Sequence, residues 1–260
     1  MKTKKSLGQH FLNSPRIIAD IVAAGDVTAS DLVLEIGPGE GVLTQALLTT
    51  GAHVIAVEKD DRLIPELQKR FTKEIALRQL DLIHADVLDL ELPHIAKSSY
   101  KIVANIPYYI TGQIIRMFLE SDKQPKSMTI LVQKEVALRT VAKDGKESLL
   151  SLSVKAFGEP EFVRIVGKGA FSPQPKVDSA ILNIKNISKE KLNGVSEKLF
   201  FEILHAGFAH KRKQLLPNLS SLYKKNNLLK SFEACGLDVK CRAEDVPLKT
   251  WVKLCTILSK

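Results

Sequence analysis

The sequence predicts a doubly wound α/β domain followed by a small all-α domain. Three observations carry this. Short apolar runs alternate with amphipathic stretches over the first 185 residues, a glycine-rich turn follows the first such run, and the spacing turns helical beyond a polar stretch at 185–194. Near-continuous apolarity fits strands covered on both faces, as in a mostly parallel sheet. Strand–helix repetition then gives helices on both sides of it.

Taken in order, Ile17, Ile18, Ile21 and Val22 share one helical face. Residues 32–36 read as the first strand, residues 42–50 as a helix, and 54–58 as the second strand. Asp60 and Asp61 suit the first turn of the next helix, where acidic side chains meet the positive helix end. Strands follow at 82–84, 102–105 and 128–132, with a helix bearing Ile114, Ile115, Phe118 and Leu119 between the last two. Residues 162–166 and 180–184 read as two late strands closing the sheet. The domains are therefore expected at 1–187 and 188–260. In the second, Leu199, Ile203 and Leu204, then Leu215, Leu216 and Leu219, then Val252, Leu254 and Leu258 mark helices kept short by Pro217 and Pro247.

Composition narrows the function classes. Hydrophobic residues are 45% and charged residues 26%, which excludes wholesale disorder and fibrous folds. No apolar run approaches the ~18 residues of a membrane span. The basic start, Lys2, Lys4 and Lys5, has no apolar stretch behind it, so no secretory signal is expected. Cys235, Cys241 and Cys255 form no disulfide framework and lack a C-x-x-C pair, so packing roles, no metal and a reducing cytoplasmic compartment are expected. His53, His84 and His94 read as surface or loop residues. Residues 185–260 hold 15 Lys and Arg against 7 Asp and Glu, whereas residues 1–184 hold 23 against 22. A basic tail on a neutral body fits a polyanion partner, and equally a solvated Lys-rich surface.

The glycine turn Glu35-Ile36-Gly37-Pro38-Gly39-Glu40-Gly41 lets the backbone turn tightly and approach a ligand. Glu58 ends the next strand, seventeen residues after Gly41, where a carboxylate can accept both hydroxyls of a ribose. A dinucleotide site wants G-x-G-x-x-G and a helix end for its pyrophosphate. Here the spacing is G-x-G-x-G and acidic Glu35 would repel that group. Glu35 suits a cation instead, such as the sulfonium and amino group of S-adenosylmethionine. An ordinary glycine-rich turn is the bland alternative. Asp86, just past the third main strand, can face the adenine amino group.

Asn105-Ile106-Pro107-Tyr108 follows the fourth main strand beside the same crevice. An exocyclic amine is a poor nucleophile because its lone pair is delocalised into the ring. Acceptors from the Asn105 side chain and the Ile106 carbonyl would bind its two N–H groups and favour a tetrahedral nitrogen. Positioning and electrostatics then supply the rate. Pro107 keeps Ile106 extended, and Tyr108 offers a stacking face for the base. Phe171 heads a proline-rich loop (Phe171-Ser172-Pro173-Gln174-Pro175) and reads either as a second aromatic over the base or as a core residue.

These segments, with Gly8-Gln9-His10-Phe11-Leu12, Lys176-Val177-Asp178-Ser179-Ala180, Phe208-Ala209-His210-Lys211-Arg212-Lys213 and Cys241-Arg242-Ala243-Glu244-Asp245, occur in the order of the small-subunit ribosomal RNA adenine N6,N6-dimethyltransferases. The chain resembles that family over nearly its whole length. The resemblance implies a Rossmann-like class I S-adenosylmethionine-dependent methyltransferase domain and dimethylation of two adjacent adenosines near the 3′ end of 16S rRNA. It implies cofactor contacts at His10, Leu12, Gly37, Glu58, Asp86 and Asn105. His10 departs from the Asn common in bacterial members, and Tyr109 stands where many carry Asn. Lys211, Arg212 and Lys213, the densest basic run of the tail, are the expected rRNA contacts. The expected partner is small-subunit rRNA in a partly assembled subunit, met by a monomer. Other readings fit less well: a small-molecule methyltransferase leaves the basic tail without purpose, a dehydrogenase wants another glycine spacing, the Phe171 loop and the Cys241 segment argue against a large-subunit dimethylase, and the intact Asn105–Tyr108 motif argues against a non-catalytic relative.

Overall fold

Val33, Val54, Ala56, Ile102, Val103 and Ala104 are completely buried, as expected of strands with helices on both faces. The computed structural model describes residues 10–90 and 99–259. Lys2, Lys4, Lys5, Gly8, Gln9 and His94 lie outside the described residues. The strands are β1 (Phe11–Leu12), β2 (Leu32–Ile36), β3 (His53–Glu58), β4 (Leu80–His84), β5 (Lys101–Ala104), β6 (Ser127–Gln133), β7 (Glu159–Val166), β8 (Phe171–Ser172) and β9 (Ser179–Lys185). The helices are α1 (Pro15–Ala24), α2 (Val42–Thr49), α3 (Ile64–Arg70), α4 (Thr72–Ala76), α5 (Thr111–Glu120), α6 (Lys134–Val141), α7 (Leu149–Lys155), α8 (Glu197–Phe208), α9 (Leu215–Leu219), α10 (Lys225–Cys235) and α11 (Leu248–Leu258).

The main sheet runs β4-β3-β2-β5-β6-β9-β7. Its first five strands are parallel, and β9 and β7 complete it antiparallel. From β2 the chain winds outward through β3 and β4, then returns to lay β5 on the other side of β2. The strand order reverses between β2 and β5, and a crevice opens at the carboxyl ends of strands on either side of such a switch point. A separate two-stranded sheet pairs β1 with β8, with Leu12 opposite Phe171.

The described chain forms two compact units. One runs to Ala137 and resumes at Glu159–Ile187; the other combines Leu138–Gly158 with the residues from Ser188 onward. The sequence reading put residues 138–158 in the first domain. Their partners explain the difference. The Phe157 and Phe201 rings stack 6.0 Å apart, the Glu147 N–H donates to the Glu244 carbonyl at 2.8 Å, and Lys146 pairs with Asp245. None of these contacts leaves a periodic trace in the local sequence. The second unit is centred on Phe200, Leu204, Phe232, Trp251 and Leu254, all fully buried. Each such side chain contributes roughly 1.5–3 kcal/mol of burial energy, so a few of them suffice for a stable small core. Among the described residues no helix is long and apolar enough to cross a membrane.

Candidate active site

The crevice at the switch point is lined by the carboxyl ends of four neighbouring strands and by the start of the described chain. His10, Leu12, Glu35, Gly37, Glu58, Asp86, Asn105, Ile106, Pro107, Tyr108 and Tyr109 all face it. All six residues expected to contact a cofactor are therefore gathered in one pocket, together with the Asn105–Tyr108 motif.

The glycine loop is held from below. The Gly37 N–H donates to the Val57 carbonyl at 2.9 Å, and Gly41 closes a turn onto Pro38. Gly37 has φ +68°, and a Cβ built on it would meet nothing within 4 Å. The space above it is the open pocket. Gly41 has φ +78°, but a Cβ there would lie 2.6 Å from the Phe71 ring. The two glycines thus answer different demands, ligand access at one and close packing at the other.

Glu58, Glu35 and Asp86 line this side of the pocket, with Asp60 buried behind it, and their environments separate them. Glu58 Oε2 accepts the Gly39 N–H at 3.1 Å and Oε1 accepts the Asp60 N–H at 2.8 Å. Burial raises its pKa above the usual carboxylate value, against those hydrogen bonds. Glu35 is completely buried and its Oε2 has no hydrogen-bond partner among the described residues. Burial pushes it up to about 8; Thr44 opposes the shift and the charge of Glu58 adds to it. Asp86 behaves oppositely. Burial alone would raise its pKa, but the Lys59 ammonium and the Leu88 N–H (3.0 Å to Oδ1) outweigh that and hold it low. Asp60 is outside the lining; it is buried against Arg62, whose Nε donates to Oδ1 at 2.8 Å, and its carbonyl accepts the Leu63 N–H ahead of α3.

On the other side, Asn105 Nδ2 donates to the His10 carbonyl at 3.1 Å. A carbonyl only accepts, so the amide nitrogen must face it, which leaves Oδ1 as the atom without a partner among the described residues. No N–H among them donates to the Ile106 carbonyl either. Two acceptors stand unused at the end of β5. Tyr108 is fixed at its far edge by Ser179, Oη to Oγ 2.5 Å, and its hydroxyl pKa is raised by burial. The His10 ring stacks against it, centroids 5.9 Å apart at 24°. His10 Nδ1 donates to the Pro173 carbonyl at 2.7 Å, which leaves Nε2 as its remaining ring nitrogen. Tyr109 is 63% exposed at the rim.

Phe171 is placed differently from the more ambitious expectation. It is 2% exposed, belongs to the hydrophobic core beneath β1 and does not line the pocket. Its backbone pairs with Leu12, so it anchors the segment that carries His10. Lys211, Arg212 and Lys213 are exposed in the turn between α8 and α9 of the second unit. Two residues were missed by sequence reasoning. Ser179 was inside a motif read only for its phenylalanine and prolines, and Lys59 had no signal beyond following Glu58. Among the described residues no group of three or more metal-ligating side chains comes together. The pocket's features fit a nucleoside cofactor with a cationic end: an open cradle over Gly37, carboxylates for a ribose and an amino group, and an orphaned buried carboxylate oxygen on Glu35.

Comparison with other proteins agrees with this geometry. The chain is 44% identical over 259 residues to a ribosomal RNA small subunit methyltransferase A of Dehalococcoides mccartyi, covering 98% of this chain and 88% of the relative. It is 37% identical over 258 residues to the protein of that name from Clostridium botulinum, covering 97% and 93%. Among solved structures, a dimethyladenosine transferase from Plasmodium falciparum superposes with a TM-score of 0.83 at 27% identity, covering 94% of this chain and 96% of that one. The 23S rRNA methyltransferase ErmE gives 0.79 at 27%, covering 96% and 100%. With the Asn105–Tyr108 acceptors beside the glycine cradle, and with the ribosomal RNA adenine dimethylase family matching residues 1–260 from end to end, the chain belongs to that family.

Proposed function

We propose that this protein transfers methyl groups from S-adenosylmethionine to the N6 amines of two adjacent adenosines near the 3′ end of 16S rRNA, forming N6,N6-dimethyladenosines during small-subunit biogenesis. The observation that carries the reading is the pair of unused acceptors, Asn105 Oδ1 and the Ile106 carbonyl, at the switch point of a nucleoside-binding sheet. The relatives named small subunit methyltransferase A, at 37–44% identity, favour the small subunit over the 23S RNA named for the 27% identical ErmE.

The cofactor supplies an electrophilic methyl group on a sulfonium. Glu58 would hold its ribose hydroxyls, Asp86 its adenine amino group, and Gly37, His10 and Leu12 would line its methionine portion. Asn105 Oδ1 and the Ile106 carbonyl accept the two N–H groups of the target amine and draw its lone pair out of the ring. Tyr108, held by Ser179, is the stacking face that keeps the base in the pocket. Phe171 contributes from beneath by anchoring β1. The unit that runs to Ala137 and resumes at Glu159–Ile187 is the catalytic one, Leu138–Gly158 belong to the helical unit, and the basic stretch from Ser188 onward carries rRNA contacts at Lys211, Arg212 and Lys213. A cytoplasmic monomer meeting a partly assembled subunit completes the proposal.

The test is transfer of labelled methyl groups to small ribosomal subunits lacking the modification, with nucleosides identified by mass spectrometry. Dimethyladenosine confined to two adjacent positions of 16S rRNA is expected. Label in large-subunit RNA, or in none, would sink the reading.

A further inference from the structure

A second cavity opens at the carboxyl end of β6 and shares no lining residue with the cofactor crevice. Lys134, Lys168 and Lys176 line it, together with Gln133, Glu135 and Asp178. The lysines come from three separate segments: the start of α6, a 3-10 turn at Lys168–Ala170, and the loop before β9. Asp178 joins these segments. Its carboxylate accepts the Lys168 backbone N–H at 3.1 Å, and its carbonyl accepts the Lys134 N–H at 3.0 Å. That carboxylate is thus partly committed to the backbone. None of the three ammonium groups has a carboxylate within ion-pairing distance among the described residues. Three lysines against two carboxylates, Glu135 and the backbone-committed Asp178, leave the lining with an excess of positive charge that suits an oxyanion, and lysine serves phosphate as a point charge.

The cavity also lies next to the Tyr108 platform. Ser179, bonded to Tyr108, directly follows Asp178 and sits opposite Gln133 in the β6–β9 register. The geometry points to this cavity as the site that grips backbone phosphates of the RNA strand flanking the adenosine stacked on Tyr108, an inference that rests on the rRNA reading above. Phosphate contacts position a strand without reading its sequence. This gives the catalytic unit a strand-holding function of its own, beside the basic run at 211–213.

The experiment compares wild type with the variant K134Q/K168Q/K176Q, and with K168Q/K176Q, which changes only exposed side chains and so preserves the test if the triple variant folds poorly. Binding of a mixed-sequence single-stranded oligoribonucleotide is followed across a salt series, and methylation of small subunits is measured alongside. The triple variant should lower the log–log salt slope by up to about 2, at ~0.7 per lost phosphate contact. It should raise KM for subunits with kcat and S-adenosylmethionine affinity nearly unchanged. Inorganic phosphate alone, at millimolar concentration, should compete only weakly; full competition by it would indicate a free-phosphate site and overturn the strand assignment. Unchanged slope and KM in variants, with wild type methylating 16S rRNA, would overturn the proposal and leave the function intact. Absent methylation by wild type with a lysine-dependent slope would overturn the rRNA reading while supporting the phosphate site.

Discussion

Glu35 and Asn105 sit on opposite sides of one pocket, and each makes a separable prediction. Neutral Glu35 is the favoured form in the folded protein below about 8. Because its pKa is raised above the unfolded value, the stability tied to it is present at acidic pH and is lost as pH rises through about 8. A cationic ligand reverses the preference by favouring the carboxylate, so binding S-adenosylmethionine at neutral pH should release a proton. Affinity should then climb with pH toward about 8, by up to tenfold per unit. Calorimetry in buffers of different ionisation enthalpy counts that proton. Glu58 is also raised and faces the same space, so Glu35→Gln is the control. If proton release persists in Glu35→Gln, Glu35 is not its source. Asn105→Ala removes Oδ1 and also the bond to His10. Single-turnover methylation should fall by a factor of about a hundred or more, the loss typical of an oriented acceptor, with RNA affinity close to wild type. A matching loss in both would mean that Asn105 only holds β1 in place.

At the scale of elements, the glycine loop shows how one turn serves two masters, and the glycines can be told apart by experiment. Gly37→Ala forces an L-residue into left-handed backbone, a cost of about 1–2 kcal/mol, and pushes a methyl into the pocket. Gly41→Ala carries that cost and also drives Cβ onto Phe71 and Leu67, adding about 1–3 kcal/mol of overpacking. Denaturant unfolding should rank Gly41→Ala as the less stable variant, while S-adenosylmethionine titration should rank Gly37→Ala as the weaker binder. The reverse order in either assay would contradict the geometry. The parallel strands were legible in sequence because burial on both faces leaves unbroken apolar runs such as Val54–Val57. β1 and β8 were not, since two residues carry no period and their pairing is set 160 residues apart. Helix α10 had a readable signal, Leu228 and Phe232 at i and i+4 with Gly236 as a left-handed cap, but its other positions are polar or exposed. Phe171 shows the limit for single residues, because an aromatic in a loop has the same sequence signature whether it covers a base or a core.

For the whole molecule, the division of labour follows the charge. The catalytic unit carries the nucleoside pocket and the lysine cavity, while the tail holds most of the excess positive charge. The break at residue 187 was visible as a polar stretch, whereas the transfer of Leu138–Gly158 to the second unit depends on partners distant in sequence. Lys211, Arg212 and Lys213 are all exposed between α8 and α9, and no ion pair engages them among the described residues. Converting the three to alanine should therefore leave folding intact, because surface changes away from caps and cores stay within about ±0.5 kcal/mol. Small-subunit binding should weaken, and its log–log salt slope should flatten by up to about 2 if three phosphate contacts are lost at ~0.7 each. Affinity for S-adenosylmethionine should match wild type, since every residue lining that pocket belongs to the other unit. Combining this change with K134Q/K168Q/K176Q gives a sharper outcome. Independent phosphate contacts make slope changes that add, so the sextuple variant should lose about twice the slope of either triple. A sextuple variant no flatter than one triple would mean that only one of the two lysine-rich sites touches RNA.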